Sequence, residues 1–302
     1  MNKRHLTAPA VLLLLAALAA GCASVTKLGT QLGQGAGAIT EEQATSINRS
    51  AEALEKTFAD ITPEQEYYIG RAVAATILQT YPAADEPAAN AYLNELGQAL
   101  AMASDRPQTF GGYHFLLLDS EEVNAFAAPG GLVLVTRGLV RCCGSEDALA
   151  AVLAHEIGHV QGKHGLRAIK KSRLTSALAI LSVEAARNLG DEDLKQLTAD
   201  FEGSIMDVTQ TLVNGGYARG LEKEADEAAV AILGRVGYDP RALVSMLLKM
   251  GESVKPGGPG FGRTHPSPQD RIGALPPSLM DKRAMLDPAA RRARFERAVG
   301  DV

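Results

Sequence analysis

Cysteine is scarce in this 302-residue chain, which contains three cysteines. Two of them, Cys142 and Cys143, are adjacent, and a disulfide bond between neighbouring residues would close a strained ring. We therefore expect both to remain thiols, at the start of a helix. The sequence thus predicts a fold that is not cross-linked by disulfide bonds, even if the chain is exported to an oxidising compartment.

Positive charge is also in short supply. The chain has 30 Lys and Arg residues against 35 Asp and Glu residues, and no basic stripe indicates a surface for nucleic acid. We therefore expect no nucleic-acid partner. Hydrophobic residues make up 46% of the chain and charged residues 22%, which is ordinary for a globular protein, so most of the chain should fold.

Apolar runs that are long enough to span a membrane are lacking after the first 24 residues. Residues 1–9 carry two basic side chains, residues 10–20 are wholly apolar, and small residues then lead to Gly21-Cys22. A basic start, a short apolar core and a small-residue exit are typical of a secretory signal peptide, and the core is shorter than an ordinary spanning helix. The alternative interpretation is an N-terminal membrane anchor that is never cleaved.

The end of this leader resembles a bacterial lipoprotein box. Residues 18–22 read Leu-Ala-Ala-Gly-Cys, although Ala19 stands where leucine is usual. The resemblance implies that Cys22 is acylated and becomes the mature N-terminus, and that Ala23, in place of aspartate, directs the protein to the outer membrane. Several acyl chains on one cysteine make a stable anchor, so we predict a signal peptide over 1–21 and a lipid anchor at the periplasmic face.

The remainder of the chain divides into a tether and a domain. Glycine, glutamine and small polar residues predict a flexible lipidated tether over 22–60. The folded domain, 61–302, is expected to begin at Thr62-Pro63, an N-cap followed by a proline in the first turn. Helical patterns dominate this domain, and three short segments are rich in strand formers: 113–118, 123–127 and 132–136. The predicted fold class is mainly α with one small β-sheet.

A histidine pair in an apolar helix is the clearest sign of a functional site. Ser145 is a good N-cap, and the helix that follows contains His-Glu-Ile-Gly-His at 155–159 after seven small or aliphatic residues. His155 and His159 are four residues apart and share one helix face, where they can hold a metal ion. Burying these groups without a metal or another partner would be costly. We therefore favour a metal site over a satisfied core pair, with Glu156 in reach of a metal-bound water.

A catalytic zinc ion needs a third protein ligand and one open position for water. His164 follows His159 by five residues, one fewer than the spacing that supplies a third histidine in metzincins. The near miss argues against that class. We interpret His164 as a helix-end histidine that interacts with C-terminal carbonyl groups.

The acidic run at 222–226, Glu-Lys-Glu-Ala-Asp, is a better source of the third ligand. Glu222 and Asp226 are four residues apart and share a helix face, whereas Glu224 points away. One of the two can bind zinc while the other hydrogen-bonds a zinc-binding histidine. The alternative is a solvated acidic helix face.

Five segments occur together in a distinctive order, at 124–131, 155–159, 222–226, 237–240 and 264–266. Together they resemble the HtpX/BepA-like metallopeptidases, family 48 of the metallopeptidases, which also includes the CAAX prenyl endopeptidases. The resemblance covers about residues 62–275 and is far more specific than His-Glu-x-x-His alone. It implies a gluzincin fold with one zinc ion. The residues that it implies are the ligands His155, His159 and Glu222 and the general base Glu156.

The resemblance also implies a substrate-binding edge strand, along which an extended chain would pair through its main chain. The residues of this edge, or of a neighbouring one, are Asn124, Ala125, Phe126 and Ala127. Asp226 is expected to hydrogen-bond a zinc-binding histidine. For Arg271 two roles stay open, stabilisation of the oxyanion or anchoring of the C-terminal segment.

His265 lies directly after a segment rich in glycine and proline, which can occupy several positions at small cost. A neutral imidazole competes with water for an open zinc position, so we propose His265 as a reversible inhibitory fourth ligand. Related periplasmic proteases match at this His-Pro and are thought to be held latent in this way. The alternative is that His265 only caps the segment before Arg271.

The implied function is zinc-dependent hydrolysis of peptide bonds in misfolded or stalled envelope proteins, with the outer-membrane assembly machinery as a possible partner. The alternative is a chaperone-like assembly factor that uses zinc structurally, which the intact Glu156 disfavours. A prenyl-protein protease is a weaker alternative, since spanning helices are missing. About 30 residues follow Arg271, fewer than a C-terminal repeat domain usually needs, so we expect the stand-alone lipoprotein branch.

Overall fold

The structure is a computed structural model that describes residues 61–169, 202–253, 260–280 and 289–302. The chain divides into two units after Thr62, and the fold described below belongs to the second, Pro63–Val302. The predicted signal peptide, the lipidation site Cys22 and the tether lie outside the described residues and stay predictions. No helix among the described residues is long and apolar enough to cross a membrane.

Helices make up most of the second unit, as the sequence predicts. In chain order they are α1 (Pro63–Thr80), α2 (Pro87–Met102), α3 (Arg137–Cys143), α4 (Glu146–Gln161), α5 (His164–Arg167), α6 (Arg219–Val236), α7 (Arg241–Ser253), α8 (Phe261–Thr264), α9 (Pro268–Ala274) and α10 (Ala289–Val299). Residues 202–210 are also helical and continue into a π-helical turn, Thr211–Gly215. Proline occupies the first position of both α1 and α2, where its missing N–H costs no hydrogen bond.

Among the described residues the sheet has three strands, β1 (His114–Leu118), β2 (Ala125–Ala128) and β3 (Leu132–Thr136), in the order β1-β3-β2. β1 is parallel to β3, and β2 is antiparallel to it. The turn between the last two strands contains Gly130, whose φ of 78° is a conformation that disfavours any side chain. The predicted fold class, mainly α with a small sheet, is confirmed.

The two edges of this sheet differ. On the outer edge of β1, the Asn94 side chain accepts a hydrogen bond from Phe115 N (3.0 Å) and donates one to Phe115 O (2.6 Å). Asn90 Oδ1 accepts from Leu117 N at 2.8 Å, and Ala84 N donates to Leu117 O at 2.9 Å. Because these contacts satisfy the β1 edge, β2 is the edge of this sheet at which an extended chain could add.

Helix α4 is the centre of the fold, with 15 of its 16 residues buried. Ser145 caps it as predicted, since its Oγ accepts a hydrogen bond from Ala148 N at 3.3 Å. Helix α6 packs along α4 at close range, and Gly158 makes this possible. A Cβ atom at Gly158 would lie 2.8 Å from Ala225 O. The close crossing brings the first turn of α6 beside the histidines of α4.

The N-terminal end of α4 is tied to distant parts of the chain through Glu146. Its buried carboxylate accepts hydrogen bonds from the hydroxyls of Tyr92 (2.9 Å) and Tyr238 (2.8 Å) and from Arg294 Nη2 (2.6 Å). Arg294 belongs to α10, so the C-terminal helix is held against the start of the helix that carries the histidines.

Helix α3 was not predicted, and it corrects the interpretation of the cysteine pair. Cys142 and Cys143 end this helix instead of starting one. The Thr136 side chain caps its beginning, and Gly144, with φ of 64°, ends it after two turns. Neither cysteine forms a disulfide bond within the described residues. Burial raises the pKa of the Cys143 thiol.

Candidate metal centre

Four side chains from three elements converge beside α4. His155 and His159 come from α4, Glu222 from the first turn of α6, and His265 from the residue after α8. One donor atom from each lies within 4.8 Å of the others, which is a group that could hold a metal ion. The structure therefore brings together the three residues predicted as zinc ligands and the predicted fourth.

The chemistry of this group fits zinc. The Nε2 atoms of His155 and His159 face each other at 3.0 Å, close to the separation of about 3.3 Å that tetrahedral Zn–N bonds of about 2.0–2.1 Å require. Burial holds the pKa of His159 well below its usual value, so the ring is neutral, as a ligand must be. Glu222 Oε1 is buried and makes no hydrogen bond within the described residues, which leaves it available to a cation.

Glu156 lies next to this group on α4 and is 2% exposed. Burial raises the pKa of its carboxyl group, with the neighbouring Glu222 acting in the same direction and His155, His265 and Arg271 opposing. Its Oε1 atom also makes no hydrogen bond to any described residue. A buried carboxylate oxygen without a partner, beside a metal-binding group, is suited to accept a proton from a water molecule.

Asp226 lies behind His155, on the side away from its Nε2 atom. One oxygen, Oδ1, is 2.9 Å from His155 Nδ1 and 2.5 Å from Arg271 Nη2, and Oδ2 is 3.0 Å from Arg271 Nε. Arg271 Nη2 also lies 3.1 Å from His155 Nδ1, but a ring that binds metal through Nε2 carries its proton on Nδ1 and cannot accept. Asp226 is therefore placed to orient the His155 ring.

Arg271 is thus engaged with Asp226, as a positioning residue would be. The guanidinium is 4% exposed, and its Nη1 makes no hydrogen bond within the described part of the chain. Burial alone would raise the pKa of Asp226, but the Arg271 charge and the His155 ring hold it well below its usual range. The pair is ionised in the folded protein.

His265 contacts both Glu222 of the metal group and the preceding helix α8. Its Nδ1 atom is 2.8 Å from Glu222 Oε2, and its ring stacks on Phe261 at 3.8 Å between centroids. Phe261 N in turn donates to Val123 O, two residues before β2, at 2.8 Å. The end of the glycine- and proline-rich segment before His265, which we expected to be a flexible loop, forms helix α8. Residues 254–259 of that segment lie outside the described ranges.

Residues 87–277, more than half of the chain, match peptidase family M48. The chain belongs to this family. Membership confirms the resemblance to the HtpX/BepA-like metallopeptidases and indicates a metal-dependent hydrolase.

Three relatives share about 30% sequence identity with this M48 chain. The beta-barrel assembly-enhancing protease of Yersinia pestis is 30% identical over 218 residues, which cover 71% of this chain and 44% of that protein. The same-named protein of Escherichia coli (strain K12) is 29% identical over 210 residues, 69% of this chain and 42% of its own length. The mitochondrial metalloendopeptidase OMA1 of Schizosaccharomyces pombe is 33% identical over 155 residues, which cover 49% of this chain and 41% of that protein. The chain therefore spans less than half the length of these curated relatives.

His164 in this M48 domain is not a helix-end histidine, which corrects the prediction. It begins α5 and is completely buried, with Nδ1 2.8 Å from His159 Nδ1 and Nε2 3.1 Å from Glu224 Oε2. Glu224 faces α5, where it also accepts a hydrogen bond from Arg167 at 2.8 Å. Although burial alone would raise it, these two partners lower the pKa of Glu224 to about 2. Spacing within one helix does not reveal the contacts of His164, because they join α5 to α4 and α6.

Tyr217 is a residue of the M48 site that sequence reasoning missed. Its ring stacks on His159 at 4.4 Å, with 25° between the planes, and its hydroxyl has no hydrogen-bond partner among the described residues. Burial and the charges of Glu156 and Glu222 raise the pKa of this phenol, so it stays protonated. Tyr217 lies in the short segment before α6, and no pattern in the sequence distinguishes it from other tyrosines.

The predicted edge lies one residue away from its predicted position. Strand β2 is Ala125–Ala128, so Asn124 precedes it, and all four strand residues are buried. Thr136 N donates to Asn124 O at 3.1 Å. Because alternate residues of an antiparallel pair turn their backbone groups outward, those of Ala125 and Ala127 face away from β3. The Ala125 N–H already meets Asn124 Oδ1 at 3.0 Å.

Proposed function

We propose that this chain is a zinc-dependent metalloendopeptidase of the bacterial cell envelope, which hydrolyses peptide bonds of misfolded or stalled envelope proteins. The observation that carries the proposal is the buried group of His155, His159 and Glu222 beside Glu156, whose carboxylate oxygen lacks a partner. Membership in family M48 supports peptidase chemistry. Two relatives are named beta-barrel assembly-enhancing proteases, which supports substrates connected with outer-membrane assembly.

Each residue has a distinct role in this proposal. His155, His159 and Glu222 hold the zinc ion, which would lower the pKa of a bound water and polarise the scissile carbonyl. Glu156 accepts the proton of the attacking water at Oε1 and delivers it to the leaving amine. Asp226, held by Arg271, keeps the Nδ1 proton on His155 and orients the ring. The Nη1 group of Arg271, which makes no hydrogen bond within the described residues, remains available to donate to an oxyanion.

The substrate would bind as an extended chain on the outer edge of β2. The β1 edge is already occupied by side chains of α2, which supports β2 as the binding edge. Main-chain pairing gives affinity with little dependence on side chains, as suits a protease that acts on unfolded proteins.

Latency is part of the proposal, because His265 and its segment occupy the site. The His265 imidazole lies within the four-residue metal group. In the same segment, Phe261 N donates a hydrogen bond to the Val123 carbonyl, next to the edge where a substrate backbone would pair. His265→Ala is expected to raise basal proteolysis or self-cleavage, with zinc still bound by three residues. The exposed His114 provides a control through His114→Ala. If His265→Ala is no more active than wild type and binds zinc equally well, the latency proposal is wrong.

We also propose that acylated Cys22 anchors the domain at the periplasmic face of the outer membrane. In this proposal residues 22–60 are the tether and residues 61–302 form the peptidase domain. Cys22→Ser should release the domain from the membrane fraction. Recovery of that variant with the membranes would favour an uncleaved anchor instead.

The test of the proposed function is Glu156→Gln, which keeps the shape of the side chain and removes the base. Zinc content should be unchanged, while unfolded casein stays uncut. Glu227→Gln on the exposed face of α6 is the matched control, because Glu227 pairs with Lys223 on the surface. Undiminished cleavage by Glu156→Gln would reject the mechanism.

A second candidate is a chaperone-like assembly factor with a structural zinc ion. The observation in its favour is that His265 completes a group of four, and structural zinc sites use all four positions. A purely structural site has no use for Glu156, so this candidate predicts that Glu156→Gln retains the full assembly function. Loss of assembly function in that variant would exclude it.

A further inference from the structure

The two histidines of α4 have different partners at Nδ1, the ring nitrogen that points away from the metal group. His155 is held by a carboxylate, Asp226, at its Nδ1 atom. His159 has no carboxylate at that position among the described residues, and its Nδ1 instead meets the Nδ1 atom of a second histidine, His164, at 2.8 Å. Such a contact between two ring nitrogens stabilises only if one carries a proton and the other does not.

The proton positions follow from the contacts at both ends of this pair. The Nε2 atom of His159 faces the metal group, so its Nδ1 carries the proton and donates. His164 Nδ1 must then accept, which places the proton of the neutral His164 ring on Nε2. That atom lies 3.1 Å from Glu224 Oε2, a carboxylate that only accepts. One arrangement of protons satisfies both contacts.

We propose that His164 and Glu224 form a positioning pair, which fixes the orientation and the proton position of His159 for zinc binding through Nε2. The inference rests on the proposed zinc site and adds to it two residues that touch no metal. Glu224 selects the tautomer of His164, and His164 in turn selects that of His159. Arg167 keeps Glu224 in place from the other side, with Nη1 2.8 Å from Oε2.

Burial makes this arrangement costly to lose. His159 and His164 are 1% and 0% exposed, so no water replaces a missing partner at either ring. Partners of zinc-binding histidines typically contribute about 10- to 100-fold to metal affinity. Glu224, at the outer end, has a side chain that is 38% exposed, so its contribution should be smaller than that of His164.

The experiment measures the zinc affinity of the full chain by competition with a chromophoric chelator. His164→Leu removes the acceptor, and we expect zinc to bind about 10- to 100-fold more weakly. His164→Asn places Oδ1 where Nδ1 was, so affinity should return to within about 10-fold of wild type. Glu224→Ala should weaken binding by a smaller factor, whereas the control Glu227→Ala on the same helix should change nothing.

A second readout reports the proton positions directly. Nitrogen-15 NMR of the histidine rings in the zinc-loaded protein should find protons on His159 Nδ1 and on His164 Nε2, and none on His164 Nδ1. A proton on His164 Nδ1 would overturn the proposal, and so would wild-type zinc affinity in His164→Leu. The metal-free unfolding curve shows whether His164→Leu folds. If it does not, the ring spectra of the wild-type protein and the zinc affinity of Glu224→Ala test the proposal instead.

The outcomes separate this inference from the proposed function. A wild-type chain that binds no zinc, or a Glu156→Gln variant that still cleaves casein, would reject the proposed function. A wild-type chain that binds zinc and cleaves casein, with a His164→Leu variant that binds zinc equally well, would reject only the positioning pair.

Discussion

Replacing Asp226 with asparagine changes the site in one defined respect, because the two side chains have the same shape. The substitution removes the negative charge that Arg271 contacts at 2.5 and 3.0 Å and that His155 contacts at 2.9 Å. All three side chains are at most 4% exposed, so water cannot compensate the guanidinium charge.

The expected magnitude has two separate parts. Removing one partner of a buried ion pair costs about 3–5 kcal/mol of folding stability, because the other charge is left without compensation. For a domain of this size that corresponds to a fall in Tm of about 6–20 °C. Weaker orientation of His155 should in addition reduce zinc affinity about 10- to 100-fold.

A double variant separates the two parts. Asp226→Asn with Arg271→Leu removes both charges, so most of the lost stability should return, whereas zinc affinity should stay low. The assays are thermal unfolding of the metal-free protein and chelator competition for zinc. An Asp226→Asn variant whose unfolding free energy is within about 1 kcal/mol of wild type would contradict the ion-pair argument. A double variant with restored zinc affinity would contradict the orientation argument.

Three further changes test other parts of the account. Glu222→Ala should abolish tight zinc binding in metal analysis, because two imidazoles leave an incomplete site, and full zinc occupancy would refute the assignment. Gly158→Ala should lower both Tm and zinc affinity, since the added Cβ would lie 2.8 Å from Ala225 O and push α6 away from α4. Unchanged Tm and zinc affinity would refute the role of Gly158 in the close helix crossing. Arg294→Met should lower the unfolding free energy by about 1–3 kcal/mol without changing zinc affinity, and a large fall in zinc affinity would contradict the separation of these two regions.

The sequence predicts best those elements whose signals are local. Proline at the start of α1 and the Ser145 cap of α4 identify helix beginnings through groups within one turn. The two histidines of α4 that we propose as metal ligands follow from spacing alone, because residues four apart share a helix face. Spacing does not distinguish Glu222 from Asp226 as the third ligand, and Glu222 was assigned from the family resemblance.

The errors concern residues whose partners come from other elements. Glu224 lies on the opposite face from Glu222 when α6 is considered alone, yet α5 brings His164 to that face. Tyr217 stacks on His159, and no spacing rule relates a residue before α6 to a ring on α4. Helix α3 is only seven residues long, too short for a periodic pattern to identify it.

The proposed zinc site is the group of His155, His159 and Glu222 beside α4. Anomalous diffraction at the zinc absorption edge, from crystals of the zinc-loaded protein, tests it most directly. We expect one strong anomalous peak at about 2.0–2.2 Å from the Nε2 atoms of His155 and His159 and from the carboxylate of Glu222. A peak at another position, or a zinc-loaded crystal with no peak between these three side chains, would refute the proposed site.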